Sequence, residues 1–160
     1  MRDLARSPAV LGVVGPSNVG KTSLLEVWVP ALRAHGLAVG VLKHASHGFL
    51  ADRPGKDSYR LYEAGAEAVA LVSREQIATF TRRSGGEGES VSLAAALATL
   101  PQDLDLVLAE GFAWEPIPRV VLFAADGEER CERLEQAPVL QRIRVPAASP
   151  GERPAFSPSL

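Results

Sequence analysis

Residues 9–36 read AVLGVVGPSNVGKTSLLEVWVPALRAHG. Ala9–Val14 is an unbroken apolar run of buried-strand length. Gly15–Thr22, GPSNVGKT, fits the pattern G-x-x-x-x-G-K-[ST]. The residues after it place apolar side chains at helical spacing. A strand, then this loop, then a helix is the setting in which the pattern cradles phosphates. Gly15 and Gly20 let the backbone turn its N–H groups inward, and the helix start adds its positive end. Gly15, Pro16, Ser17, Asn18, Val19, Gly20, Lys21, Thr22 and Ser23 are therefore the expected nucleotide-phosphate ligands. Lys21 can reach the β/γ-phosphates, and the Thr22 hydroxyl can ligate Mg²⁺. Chance would produce the pattern in about 1 in 200 chains of this size. With only three lysines in the chain, the rate is lower still.

The bulk properties agree with a nucleotide-binding domain. The chain has 160 residues, enough for one domain with a real core. Hydrophobic residues make up 46% and charged residues 22%, as in ordinary globular proteins. A net charge of −2 argues against general affinity for nucleic acid or an anionic membrane. Cys131 is the single cysteine, which excludes an internal disulfide and suits a reducing compartment. The opening MRDLARSPAV fits neither a signal peptide nor a membrane span. A cytoplasmic location is expected, with no nucleic-acid partner and no membrane partner.

Strand and helix signals alternate along the chain, which points to a parallel sheet covered by helices. Strands are expected at 9–14, 37–42, 68–72 and 104–109, with 119–124 the last clear one. Residues 76–81 form a further candidate, antiparallel in direction. Helices are expected at 22–35, 58–64 and 91–100, and a short charged one at 128–135. Pro30 is expected to bend or shorten the first, and Ser90 to cap the third. The fold class is α/β: a P-loop NTPase-type three-layer fold, mostly parallel, with helices on both faces. Residues 1–145 form the nucleotide-binding domain. Residues 146–160, with prolines at 146, 150, 154 and 158, read as a mobile tail.

Ligands of open α/β sheets bind at the carboxyl ends of the strands, so those ends define the candidate site. Fourteen arginines against three lysines make Lys21, Lys43 and Lys56 conspicuous. Arginine's planar fork does not replace a lysine point charge at a phosphate. Lys43 and His44 follow the second strand; Asp52, Lys56, Asp57 and Ser58 come soon after. Glu110 ends the strand at 104–109, where a carboxylate faces the phosphate loop and can bind Mg²⁺. Gly111 would leave room for a γ-phosphate. Asp52 is the second candidate metal ligand, whereas Asp105 sits at the wrong end of its strand. Lys21 and Glu110 are the candidate catalytic groups. Arg53, Lys56 and Arg60 present either positive charge for an anion or a solvated helix start. His44 and His47, three apart and without a nearby cysteine, make a poor zinc site. Asp126, after the strand at 119–124, could accept from guanine N1–H and N2–H₂.

Three stretches together resemble the MobB family: GPSNVGKT, then VGVLKHASHGFLADRPGKDSYRLYEAGA, then DLVLAEGFAWEPIPRVVLF. The likeness covers roughly residues 9–126. It implies a GTP-binding adapter in molybdopterin-guanine dinucleotide synthesis, with Mg²⁺, weak hydrolysis and a homodimeric state. The implied partners are the molybdenum cofactor guanylyltransferase and the molybdopterin cofactor. By position it implies phosphate binding by Gly15–Thr22 and metal proximity for Glu110 and Asp52. It makes Lys43, His44, Lys56, Asp57, Ser58 and Arg60 the family's signature loop. Ala45-Ser46 stands where that family often has more histidines, and Ala113-Trp114 follows EGF where a lysine is common. Residues alone leave two other classes open: a P-loop kinase or ligase acting on a small metabolite, and a metal-delivery GTPase using His44 and His47.

Overall fold

The computed structural model describes residues 7–46, 48–50, 52–82, 91–124, 134, 137–146 and 154–156. The chain divides into two compact units, residues 1–44 with 91–160, and residues 45–90.

The first unit is built on a parallel sheet of five strands. These are β1 (Ala9–Val14), β2 (Val39–Lys43), β5 (Leu106–Glu110), β6 (Arg119–Ala124) and β7 (Val139–Val145), in the order β2-β5-β1-β6-β7. Its inner strands are apolar on both faces, as a sheet covered twice requires. Leu11, Val13, Leu106, Leu108, Val120 and Leu122 point to one face. There they meet α1 (Lys21–Ala34) through Leu24, Leu25, Trp28 and Leu32. Val10, Leu42 and Ala109 point the other way and meet α3 (Leu93–Leu97) through Leu93, Ala96 and Leu97. Period-two strands between helices of opposite faces give the three layers expected.

The helices keep their expected places with shifted ends. Pro30 lies inside α1, which runs on to Ala34 and is not shortened. Ser92, not Ser90, caps α3, its hydroxyl accepting from the Ala95 amide at 3.2 Å. The strand β7 was not anticipated. Its sequence VLQRIRV interleaves charged and apolar residues, and among the described strands it pairs with β6 alone, at the sheet edge. Of the tail, Pro154–Phe156 are described, and Phe156 packs on the α1-side core. An aromatic ring provides that stretch with apolar surface to bury. The helix expected at 128–135 lies outside the described residues except for Leu134, and Cys131, His47 and Asp126 lie outside them too.

The second unit contains α2 (Asp57–Glu63) and an antiparallel pair, β3 (Ala68–Val72) and β4 (Ile77–Thr81). These two strands form their own sheet and do not extend the parallel one. The Ser73 amide donates to the Gln76 carbonyl at 2.8 Å and closes the turn. A connection this short permits only a hairpin. Arg82 ties the unit together: its guanidinium lies 4.1 Å from the Tyr62 ring centroid and donates to the Ala66 and Tyr62 carbonyls.

Candidate functional site

The site follows from strand register. Parallel pairing sets Val13 of β1 and Lys43 of β2 on either side of Glu110 of β5. Glu110 shares the side-chain parity of Leu106 and Leu108, so it faces the α1 layer. The first turn of α1 supplies Thr22. Its hydroxyl donates to the Glu110 carboxylate, at 3.1 Å to Oε2 and 3.3 Å to Oε1. The Lys43 ammonium donates to Thr22 Oγ1 and to Glu110 Oε1, both at 3.0 Å. Three residues singled out from sequence thus form one closed triad. Glu110 is 7% exposed, whereas the Lys43 side chain is 55% exposed.

The phosphate loop closes over the start of the same helix. Lys21 Nζ donates to the carbonyls of Gly15 at 3.0 Å and Pro16 at 2.6 Å. Burial lowers the Lys21 pKa; Glu110 opposes that shift, and the Lys43 charge adds to it. Val19 is buried in the core under the loop, while Ser17 and Asn18 are exposed. Gly15 is fixed by close approach: a Cβ there would come 2.5 Å from the Leu122 carbonyl oxygen. The α1 N-terminus begins at Gly20 with no side-chain cap and no acidic residue in its first turn. Its amides are therefore available to an anion.

Gly111, expected to make room for a phosphate, has a different neighbour. Its φ is +89°, and a Cβ there would lie 3.3 Å from His44 Cβ. The His44 amide donates to the Glu110 carbonyl at 2.9 Å. The His44 ring packs edge-on to Trp114 and Phe112, with centroids 4.8 Å and 5.9 Å away. His44 therefore holds the end of β2 against the segment that follows β5.

Sequence reasoning missed the residue that organises that segment. Arg119, at the head of β6, is 1% exposed. Its guanidinium donates to the carbonyls of Ala113 at 2.8 Å, Leu134 at 3.0 Å, Ile117 at 3.4 Å and Glu115. Burial lowers its pKa. Glu115 in turn accepts from the Leu93 amide at 2.8 Å, joining the segment to α3. A charged residue opening the apolar run RVVLFA was the available signal. Asp105 also has structural work, accepting from the Ala38 amide at 2.7 Å.

In the second unit, Asp52 accepts from the Arg53 amide at 2.6 Å and from the Ser58 hydroxyl. Those bonds, the Ser58 one first, hold its carboxyl below the usual carboxylate range. Lys56 is the N-cap residue of α2, and Arg60 pairs with Asp57 at 3.6 Å. Among the described residues, no group of three His, Cys, Asp or Glu side chains gathers to hold a metal ion. None of the described helices is long and apolar enough to cross a membrane.

Comparison with known proteins bears on the whole arrangement. The chain is 42% identical over 114 residues to a molybdopterin-guanine dinucleotide biosynthesis adapter protein of Haemophilus influenzae. That match covers 71% of this chain but only 62% of the relative. It is 39% identical over 133 residues to the protein of that name in Escherichia coli, covering 83% of this chain and 73% of the relative. A crystal structure of molybdopterin-guanine biosynthesis protein B superposes with a TM-score of 0.67 at 32% identity, covering 84% of this chain and 80% of that one. A MobB homologue from Bacillus stearothermophilus does so with a TM-score of 0.64 at 32% identity, covering 94% and 88%. Residues 10–143 match the family described as MobB, molybdopterin guanine dinucleotide synthesis protein B, and the chain belongs to that family.

Proposed function

We propose that this protein is a GTP-binding adapter in molybdopterin-guanine dinucleotide biosynthesis. The observation that carries the reading is the triad of Thr22, Glu110 and Lys43 beside an uncapped helix N-terminus. Backbone amides of the Gly15–Thr22 loop and the Lys21 ammonium would bind the phosphates. Lys21 now spends its donors on two loop carbonyls, and a β/γ-phosphate would be a stronger, charged acceptor.

Mg²⁺ fits the oxygens present. Adjacent ligands of an octahedral magnesium ion lie about 3 Å apart, and Thr22 Oγ1 is 3.1 Å from Glu110 Oε2. Thr22 and Glu110 would hold the ion, which would neutralise phosphate charge. The Glu110 carboxylate is engaged by Thr22 and Lys43, so it serves holding more than activation of water. Weak hydrolysis belongs to this reading, because a carboxylate that holds the ion is not free to activate water. Asp52, its oxygens already bonded, organises the loop before α2 within its own unit.

The relatives' names support the adapter role; a molybdopterin guanylyltransferase and the molybdopterin cofactor as partners, and a cytoplasmic homodimer as the working form, belong to the same proposal. A pull-down with a molybdopterin guanylyltransferase, with GTP and Mg²⁺ present, tests it. Association, or a changed guanylyl-transfer rate, is the expected result. Absence of both association and any effect on that rate would refute the adapter role.

A further inference from the structure

The Lys43 ammonium contacts Thr22 Oγ1 and Glu110 Oε1. Thr22 Oγ1 is one of the two atoms assigned above to Mg²⁺, and Oε1 belongs to the same Glu110 carboxylate as the other, so the inference rests on that assignment. Each of these oxygens keeps a second lone pair, so the ammonium does not exhaust them. It does set a positive charge 3.0 Å from both, where an entering divalent cation is repelled. The three side chains differ in their freedom to yield. Glu110 is buried, and Thr22 is fixed on the first turn of a helix. Lys43 ends a strand, and its side chain is more than half exposed on a flexible four-carbon stem.

We propose that Lys43 is the resident counter-ion of the metal position, bridging Thr22 and Glu110 until a divalent cation displaces it. In the nucleotide-free protein the ammonium compensates the buried carboxylate, an otherwise costly charge. When the metal enters with a nucleotide, the ammonium leaves both oxygens and turns to the phosphates arriving beside it. Two consequences follow. Divalent cations bind the free protein weakly, because they must first remove Lys43. Nucleotide binding persists without metal, because Lys43 remains as a single positive charge where the metal would add two.

The test uses the full chain and its Lys43→Met variant, which keeps the stem and removes the charge. Mn²⁺ binding to the nucleotide-free proteins is followed by electron paramagnetic resonance. The expected result is tighter Mn²⁺ binding by Lys43→Met, by about three- to tenfold. GTP and ATP are then titrated in EDTA and in Mg²⁺. Lys43→Met should lose more nucleotide affinity in EDTA than in Mg²⁺. Equal or weaker Mn²⁺ binding by the variant would overturn the proposal. Mn²⁺ binding that survives Glu110→Gln unchanged would instead overturn the assignment of the metal ligands. Failure of both proteins to bind any nucleotide would overturn the nucleotide reading and leave the Mn²⁺ comparison decisive for Lys43.

Discussion

β1 and β3 carry nearly the same residues, AVLGVV and AVALV, yet the last three residues of β1 are buried and β3 is largely exposed. Val13 and Val14 sit in the core, whereas Val72 of β3 and its cross-strand neighbour Ile77 are 72% and 73% exposed. Composition does not separate these strands; the connection leaving each one does. β1 runs into a phosphate loop and a fourteen-residue helix, so its chain returns to the same sheet as a parallel strand, β2, with β5 between the two. β3 runs into a tight turn at Ser73–Gln76, so its chain reverses into a hairpin. Crossovers bury a strand on both faces, and hairpins leave one or both open.

The largest expected effect lies in the first unit. Leu108→Ala, at a fully buried position between the helical layers, should destabilise the protein by about 3–5 kcal/mol in urea unfolding. A loss below about 1 kcal/mol would contradict the packing described. Next comes Arg119→Met, which keeps much of the volume and leaves carbonyls of Ala113, Glu115, Ile117 and Leu134 without that donor. It should cost about 2–3 kcal/mol. It should also increase hydrogen exchange across 111–118; unchanged exchange there would remove Arg119 from the role given to it. Val72→Ser in the hairpin should change stability by less than about 0.5 kcal/mol. A loss comparable to that of Leu108→Ala would mean that β3 is buried after all.

The smallest effect is a titration. Because bonds from Ser58 and Arg53 favour its ionised form, Asp52 has a lower pKa folded than unfolded. Its contribution is then present above the ordinary Asp value, about 3.9, and lost as pH falls through the lower folded value. The Arg53 amide proton, followed by NMR, should titrate below that ordinary value. In Asp52→Asn that titration should vanish. An Arg53 transition at or above the ordinary Asp value would show that the bonds are not held in solution.

The same contrast explains what could be read from sequence. Strand, phosphate loop and helix are contiguous, so residues 9–36 reveal both element and chemistry. Glu110 was legible because an acid ending an apolar strand has few other reasons to be there. The separate hairpin was harder: 68–72 and 76–81 look like strands of any sheet, and only the turn length tells otherwise. β7 escaped notice because Gln141, Arg142 and Arg144 break its apolar pattern, which an edge strand tolerates. Arg119 stood out only as a charge opening an apolar run; its partners are backbone carbonyls, which carry no residue identity. Lys43 was marked by rarity, but that it grips the metal-ligand candidates themselves required strand register.

The functional reading rests on a nucleotide site formed where β1, β2 and β5 end. Its most direct test is calorimetric titration of GTP and ATP, with Mg²⁺, into the protein and its Lys21→Met variant. One saturable site per chain is expected, with GTP favoured over ATP and binding at least about 30-fold weaker in the variant. No saturable binding, clear preference for ATP, or equal affinity in Lys21→Met would contradict it.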